Sequence, residues 1–131
     1  MSKHNAVCSC GQLNLSAAND PVRVSLCHCQ ACKRRTGSAF GYQARFARES
    51  ITITGTQTKY VRTGDSGGTV TFSFCPQCGA TVFYEIASLP DIIAVPVGAF
   101  ADEEFATPSV SIFTNNKHPW VELPDTVQCL A

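Results

Sequence analysis

Hydrophobic and polar residues alternate in several short stretches of this chain, as they do in strands that have one face in a core. The clearest stretch is 69–74, where valine and phenylalanine are separated by threonine and serine. The same period of two occurs in shorter stretches, at 12–16, 40–46, 51–53 and 110–112. Each stretch places every second side chain on one face, so the pattern predicts a mainly β protein.

Two further runs are rich in β-branched and aromatic residues, at 80–85 and 92–97. The second has no alternation, which predicts a strand that is buried on both faces. One segment, from about Cys29 to Arg35, predicts a short helix whose cationic end complements the helix dipole. Turn residues separate these elements, at 19–21, 64–68, 89–91 and 115–116. The glycine-rich segment 64–68 predicts a hairpin or a mobile loop.

The chain has 131 residues and contains no repeat, low-complexity tract or linker, which predicts a single domain over 1–131. Lys and Arg together number 10, as do Asp and Glu. This neutral balance argues against a nucleic-acid or membrane surface. No apolar run has the length of a signal-peptide core or a membrane span, so we expect a cytoplasmic protein with reduced cysteines.

The chain has 8 cysteines, and most of them fall into three tight clusters: Cys8 with Cys10, Cys27 with Cys29 and Cys32, and Cys75 with Cys78. The two outer pairs together supply four thiolates, which fill the tetrahedron of a structural zinc site. Gly79 follows the last cysteine and permits the backbone angles that such a knuckle needs. The alternatives are a disulfide framework or free, buried cysteines.

The central triplet supplies three thiolates, and it leaves one zinc coordination position open, as in catalytic sites. Cys29 and Cys32 lie three residues apart, so a helical turn directs both sulfurs to one face. The N–H groups of that first turn also favour thiolate. The alternative is a second structural zinc that is closed by a distant ligand, for which the candidates are Cys129, His118, His28 and His4. Cys129, near the end of the chain, is otherwise expected to be a buried or free thiol.

Five segments resemble one known family, the glutathione-dependent formaldehyde-activating enzymes, which includes the centromere protein V domain. They are Cys8-Ser9-Cys10-Gly11, 27–38 with its Cys-His-Cys-Gln-Ala-Cys and Arg-Thr-Gly-Ser sequences, Ser66-Gly67, Phe74-Cys75-Pro76-Gln77-Cys78-Gly79, and Asn116-Lys117-His118-Pro119-Trp120. The resemblance implies the Mss4-like fold, in which small antiparallel sheets surround a Cys₄ zinc site. It also implies one short helix at the second cysteine cluster.

The resemblance further implies structural zinc at Cys8, Cys10, Cys75 and Cys78, and a labile zinc at Cys27, Cys29 and Cys32, through which these three act in catalysis. The implied activity is that of a carbon–sulfur lyase on a small thiol or thiol–aldehyde adduct such as S-hydroxymethylglutathione. A non-catalytic, zinc-stabilised binding module of the same fold is the alternative.

Three further residues are candidates for contact with the substrate. His118 is a candidate general acid–base, and the structural alternative is a loop histidine packed on Trp120. Arg35 and Trp120 are candidates for binding the thiol substrate. Arg35 belongs to the basic run 33–35, for which the alternative interpretation is a solvated helix end.

Overall fold

A computed structural model describes residues 3–64 and 67–131. The described residues form one α-helix, α1 (Gln30–Thr36), and three short 3₁₀ helices, Arg48–Ser50, Val97–Phe100 and Thr114–Asn116. They also form eleven strands: β1 (His4–Val7), β2 (Asn14–Ala17), β3 (Arg23–Cys27), β4 (Gly41–Ala47), β5 (Ile51–Thr54), β6 (Thr58–Thr63), β7 (Thr69–Phe74), β8 (Thr81–Ile86), β9 (Ile92–Pro96), β10 (Val110–Ile112) and β11 (Gln128–Cys129).

The strands form two sheets. The smaller has three strands in the order β1-β2-β5, and the larger has eight in the order β11-β10-β3-β4-β9-β8-β7-β6. The pairings are antiparallel except those of β10, which runs parallel to β3 and to β11. The prediction of a mainly β fold with one short helix at the second cysteine cluster is confirmed. The two parallel pairings are additions that alternation along single strands does not predict.

A hydrophobic core lies between the small sheet and one face of the large sheet. Leu15 of β2, Phe46 of β4, Phe83 of β8 and Ile93 of β9 are all buried within it. Burying side chains of this size stabilises the fold by about 1.5–3 kcal/mol each. In β9 the central residues are all buried, in agreement with the prediction from its unbroken apolar run.

The opposite face of the large sheet carries a second, smaller apolar cluster. Phe72, Tyr84 and Ala94 are buried there, and Val70 and Ile86 pack against them. A cavity of about 720 Å³ lies over this cluster and reaches the cysteine triplet. The two faces of the sheet therefore differ in role, because one builds the core and the other forms the floor of a cavity.

Seven strands match the predicted runs, and the helix begins one residue after the expected start. Four strands are not predicted by alternation, namely β1, β3, β6 and β11. The predicted hairpin at 64–68 joins β6 to β7, and its Gly64 N–H donates to the Gly68 carbonyl at 2.7 Å. Asp65 and Ser66 of that loop lie outside the described residues. Across 3–64 and 67–131, no helix has the length and apolarity that crossing a membrane requires.

Candidate metal centres and the adjoining cavity

The first centre brings together the two outer cysteine pairs. The Sγ atoms of its four cysteines, Cys8, Cys10, Cys75 and Cys78, all lie within 4.8 Å of one another. Cys10 Sγ is 3.6 Å from Cys8 Sγ and 3.6 Å from Cys75 Sγ. Four sulfurs at about 2.3 Å from a tetrahedral zinc lie about 3.8 Å apart. The donor set and its spacing therefore fit a closed zinc site.

Two turns of similar construction present these thiols. In the first, the Gly11 N–H donates to the Cys8 carbonyl at 3.0 Å, and in the second the Gly79 N–H donates to the Cys75 carbonyl at 2.8 Å. Gly11 has φ +90° and Gly79 has φ +80°, and residues with a Cβ rarely adopt such backbone angles. A glycine after each cysteine pair thus turns the chain back, and the sulfurs point to a common centre.

Gln12 links the first centre to the loop between β5 and β6. Its Nε2 donates to Cys75 Sγ at 3.0 Å and to the Thr56 carbonyl at 2.7 Å. Its Oε1 accepts from the Thr56 N–H at 2.8 Å. Burial raises the pKa of Cys75, but the hydrogen bonds from Gln12 and the Cys78 and Gln77 N–H groups outweigh it and lower the pKa to about 6. These donors favour the thiolate form that a metal needs.

The second centre consists of the central triplet, placed where β3 runs into α1. Cys27 ends β3 and is buried, Cys29 is the N-cap of α1, and Cys32 lies in the first helical turn. The Cys32 N–H donates to Cys29 Sγ at 3.3 Å. The three Sγ atoms lie within 4.8 Å of one another. Three soft thiolate donors at this separation also fit zinc.

In the second centre, the neighbouring groups shift the pKa values of two thiols in opposite directions. The adjacent Cys27 thiol lowers the pKa of Cys32 to about 5 against the effect of burial, and the nearby Arg35 charge adds to the lowering. The adjacent Cys32 thiol and burial raise the pKa of Cys27. Gly41 permits this close arrangement, because a Cβ there would lie 3.3 Å from Arg35 Nη2 and 3.4 Å from Cys32 Cβ.

The proposed fourth ligands of the triplet all lie elsewhere. His28 is buried with its ring 5.5 Å from that of Phe40. His4 Nε2 is hydrogen-bonded to Asp20 Oδ1 at 3.0 Å. Cys129 is exposed on the edge strand β11. In the part of the chain that the structure describes, no further His, Cys, Asp or Glu joins the three thiols. The fourth side of the triplet faces the cavity, which all three cysteines line.

Of the three candidates for substrate contact, the structure brings only Arg35 to this cavity. His118 and Trp120 stack on each other with ring centroids 6.1 Å apart, and neither lines the cavity. Trp120 is 70% exposed. This arrangement is that of the structural alternative, a loop histidine packed on the tryptophan. In the basic run, Lys33 donates to the Asn116 carbonyl at 2.6 Å and thereby holds α1 to the 3₁₀ helix Thr114–Asn116.

Arg34 of the basic run lines the cavity as well. Other lining residues are not predicted from the sequence, among them Gln43, Arg45, Arg62, Phe72 and Tyr84. A signal for two of them exists in the alternation of 40–46, because Gln43 and Arg45 occupy the positions between the core residues Tyr42, Ala44 and Phe46. Arg62 and Tyr84 give no comparable signal, since they reach the cavity through sheet pairing.

Comparison with known proteins agrees with this construction. The family model described as glutathione-dependent formaldehyde-activating enzyme matches residues 3–116. No curated protein sequence matches the chain. Among solved structures, the crystal structure of a Rhodobacter sphaeroides protein from structural genomics is similar, with a TM-score of 0.57 and 20% identity, covering 78% of this chain and 90% of that one. At this identity the likeness concerns the fold. The family match spans most of the chain, and the chain therefore belongs to the family of glutathione-dependent formaldehyde-activating enzymes.

Proposed function

We propose that this protein is a zinc-dependent carbon–sulfur lyase. It joins a small thiol to formaldehyde or a related small aldehyde and cleaves the resulting adduct, in a reducing compartment such as the cytoplasm. The observation that carries this proposal is the triplet Cys27, Cys29 and Cys32, whose fourth side opens onto a cavity of about 720 Å³. That volume lies within the range of small-molecule sites.

Two metal-binding roles follow from the two donor sets. Cys8, Cys10, Cys75 and Cys78 would hold a structural zinc, and the triplet would hold the second. A zinc ion bound at the triplet would supply Lewis acidity that favours the thiolate form of a thiol at neutral pH. A thiolate-rich site also suits a sulfur ligand.

The chemistry itself is an addition and its reverse. The thiol gives up its proton to solvent, and the thiolate sulfur donates an electron pair to the aldehyde carbon. The C=O π pair moves to oxygen, and that oxygen takes up one proton from solvent, so that no net proton is gained or lost. Tyr84 lines the same cavity as the triplet, and burial raises its pKa to about 12. Its phenol therefore stays protonated at neutral pH and donates a hydrogen bond to the oxygen on which charge develops. The positive charge of Arg35 lies beside Cys32 and stabilises the thiolate form of Cys32 electrostatically.

The test is two-dimensional exchange NMR, which measures the interconversion of hydrated formaldehyde and S-hydroxymethyl thiol at equilibrium, with glutathione as the first thiol. We expect zinc-loaded parent protein to accelerate exchange above the uncatalysed rate. Cys29→Ala should remove the acceleration. Cys129→Ala is the matched control, because it deletes a thiol that belongs to neither centre, and it should retain the parent rate.

Metal counting by native mass spectrometry accompanies the kinetics. Parent and Cys129→Ala should carry two zinc ions, and Cys29→Ala should carry one. Equal exchange rates in parent and Cys29→Ala, with the zinc lost only from the variant, would overturn the catalytic role of the triplet. Two bound zinc ions without acceleration for any thiol would support the binding-module alternative instead.

A further inference from the structure

The cavity beside the triplet is lined by positive charge. Four arginines line it: Arg34 and Arg35 from α1, Arg45 from β4 and Arg62 from β6. Among the lining residues that the structure describes there is no Asp, Glu, Lys or His. Although the net charge of the whole chain is zero, the arginines make the wall of this cavity strongly cationic.

Within 3–64 and 67–131, these guanidinium groups are not paired with carboxylates. The ion pairs there are Lys3 with Asp20, His4 with Asp20, and Arg48 with Glu85. Arg45 moreover lies directly across from Arg23 in the β3–β4 pairing. Like charges directly opposite each other in a sheet destabilise it. Unpaired arginines that destabilise the sheet are not explained by folding, and they point to a role in binding a ligand.

The sheet register spreads the arginines along the apolar floor. Arg45 pairs with Ala94, Ala94 with Tyr84, and Tyr84 with Phe72, so one row crosses β4, β9, β8 and β7. Arg62 lies on the next strand, β6. Arg62 pairs with Val70, two residues along from Tyr60, the partner of Phe72. Four inter-strand steps of about 4.8 Å place the Cα positions of Arg45 and Arg62 roughly 19 Å apart across the strands. The two arginines thus stand at opposite ends of the floor.

Arg35 lies between these ends. Its guanidinium carbon is 5.2 Å from the Phe72 ring centroid and 5.2 Å from that of Tyr84. Arg62 approaches the same Phe72 ring at 5.7 Å. The aromatic floor holds both cations in place through cation–π contact, but it does not neutralise them. An anion bound here would relieve their mutual repulsion.

The distribution of these charges constrains the ligand. With their Cα positions this far apart, Arg45 and Arg62 are best matched by a ligand that has at least two anionic groups. An ammonium group would meet four like charges and, in the described lining, no carboxylate. We propose, on the basis of the thiol-dependent function above, that the preferred thiol is a polyanion without an ammonium group. It binds with carboxylate or similar anionic groups on Arg35, Arg45 and Arg62 and with its sulfur at the triplet.

A matched pair of thiols tests this inference. Glutathione carries two carboxylates and one ammonium group, and its deaminated analogue, glutaryl-Cys-Gly, has the same skeleton without the ammonium. In the exchange assay with zinc-loaded protein, we expect the analogue to have a KM at least about tenfold lower. Arg62→Gln should abolish most of that preference. Lys59→Gln removes the same charge from the same strand outside the cavity, and it should preserve the preference.

A binding measurement separates this inference from the proposed function. Calorimetric titration with glutaryl-Ala-Gly and γ-glutamyl-Ala-Gly, which lack the thiol, reports charge selection without catalysis. Tighter binding of the glutaryl peptide by parent, lost in Arg62→Gln and in Arg45→Gln, supports the inference even if no thiol is turned over. If both thiols are exchanged and the KM of glutathione is equal to or lower than that of glutaryl-Cys-Gly, the inference is overturned and the proposed function stands. Melting curves of both arginine variants establish that they fold.

Discussion

Replacing Gly55 by alanine tests how tightly the first metal centre is tied to the loop beside it. Gly55 has φ +106°, and a Cβ there would collide with the Gln12 carbonyl oxygen and lie 2.9 Å from the Gln12 carbonyl carbon. Both contacts are backbone, so no flexible side chain can move aside. Gln12 is also the residue that donates to Cys75 Sγ at 3.0 Å.

The magnitude follows from two separate costs. Holding a non-glycine residue at such an angle costs about 1–3 kcal/mol. Forcing an extra carbon into a filled space costs about 1–3 kcal/mol more. We therefore expect Gly55→Ala to lose about 3–5 kcal/mol of unfolding free energy, which is a large part of the roughly 5–15 kcal/mol of a typical domain. At this chain length the Tm should fall by roughly 10–20 °C.

Gly67→Ala is the matched control, because Gly67 has φ +87° and, among the described residues, no heavy atom within 4 Å of the position that a Cβ would take. It retains the backbone cost and lacks the collision, so it should lose about half as much. Urea unfolding of both variants at one fixed zinc concentration measures the difference, since bound metal shifts apparent stability. Equal losses in the two variants would refute the collision argument. We also expect Gly55→Ala alone to release zinc to a chelator sooner, because displacement of Gln12 weakens its bond to Cys75.

Four further predictions concern the two centres and the cavity. Cys78→Ser should destabilise the fold by about 3 kcal/mol or more by opening the four-thiolate site, whereas Cys129→Ser should melt like the parent; equal melting of both serine variants would contradict the structural role. Under a mild chelator, the zinc at the triplet should leave first, and the remaining zinc should be lost only with unfolding; simultaneous loss of both ions would contradict the difference between the centres. Tyr84→Phe should lower the exchange rate about tenfold at pH 7 with both zinc ions retained. Because burial raises the Tyr84 pKa to about 12, the parent should also lose about 2 kcal/mol of stability as the pH rises from 10 to 12, a loss that Tyr84→Phe should not show.

Most of the large sheet could be predicted because its strands carry their burial pattern locally. β7 and β4 alternate, and β9 is apolar throughout, so each reveals its environment in its own sequence. β6 could not be predicted, because it is an edge strand with mostly exposed residues and no alternation. β11 has only two residues and depends on its parallel pairing with β10. Such strands are defined by their neighbours rather than by their own hydrophobicity.

The candidate site divides in the same way. The cysteine clusters were predictable, because metal ligands of one chain segment follow fixed short spacings that a turn or helix end imposes. The cavity wall was not, because Arg45, Tyr84 and Arg62 come from different strands and meet through the β4–β9–β8–β7–β6 order. The prediction for Arg35 depended on its position beside the triplet on one helix. That for Trp120 depended on the resemblance alone, and the structure places it outside the cavity.

The two centres use the same ligand chemistry, and they differ in what faces the sulfurs. In the first centre, a second cysteine turn approaches from the opposite side and completes the set of four. In the second, all three sulfurs come from six consecutive residues, and the opposing wall presents arginines. Guanidinium groups do not ligate metal, but they attract anions. Among the described residues, a wall of this kind offers the triplet no fourth protein ligand. It favours an anionic ligand from solution, as the proposed thiolate with further anionic groups would be.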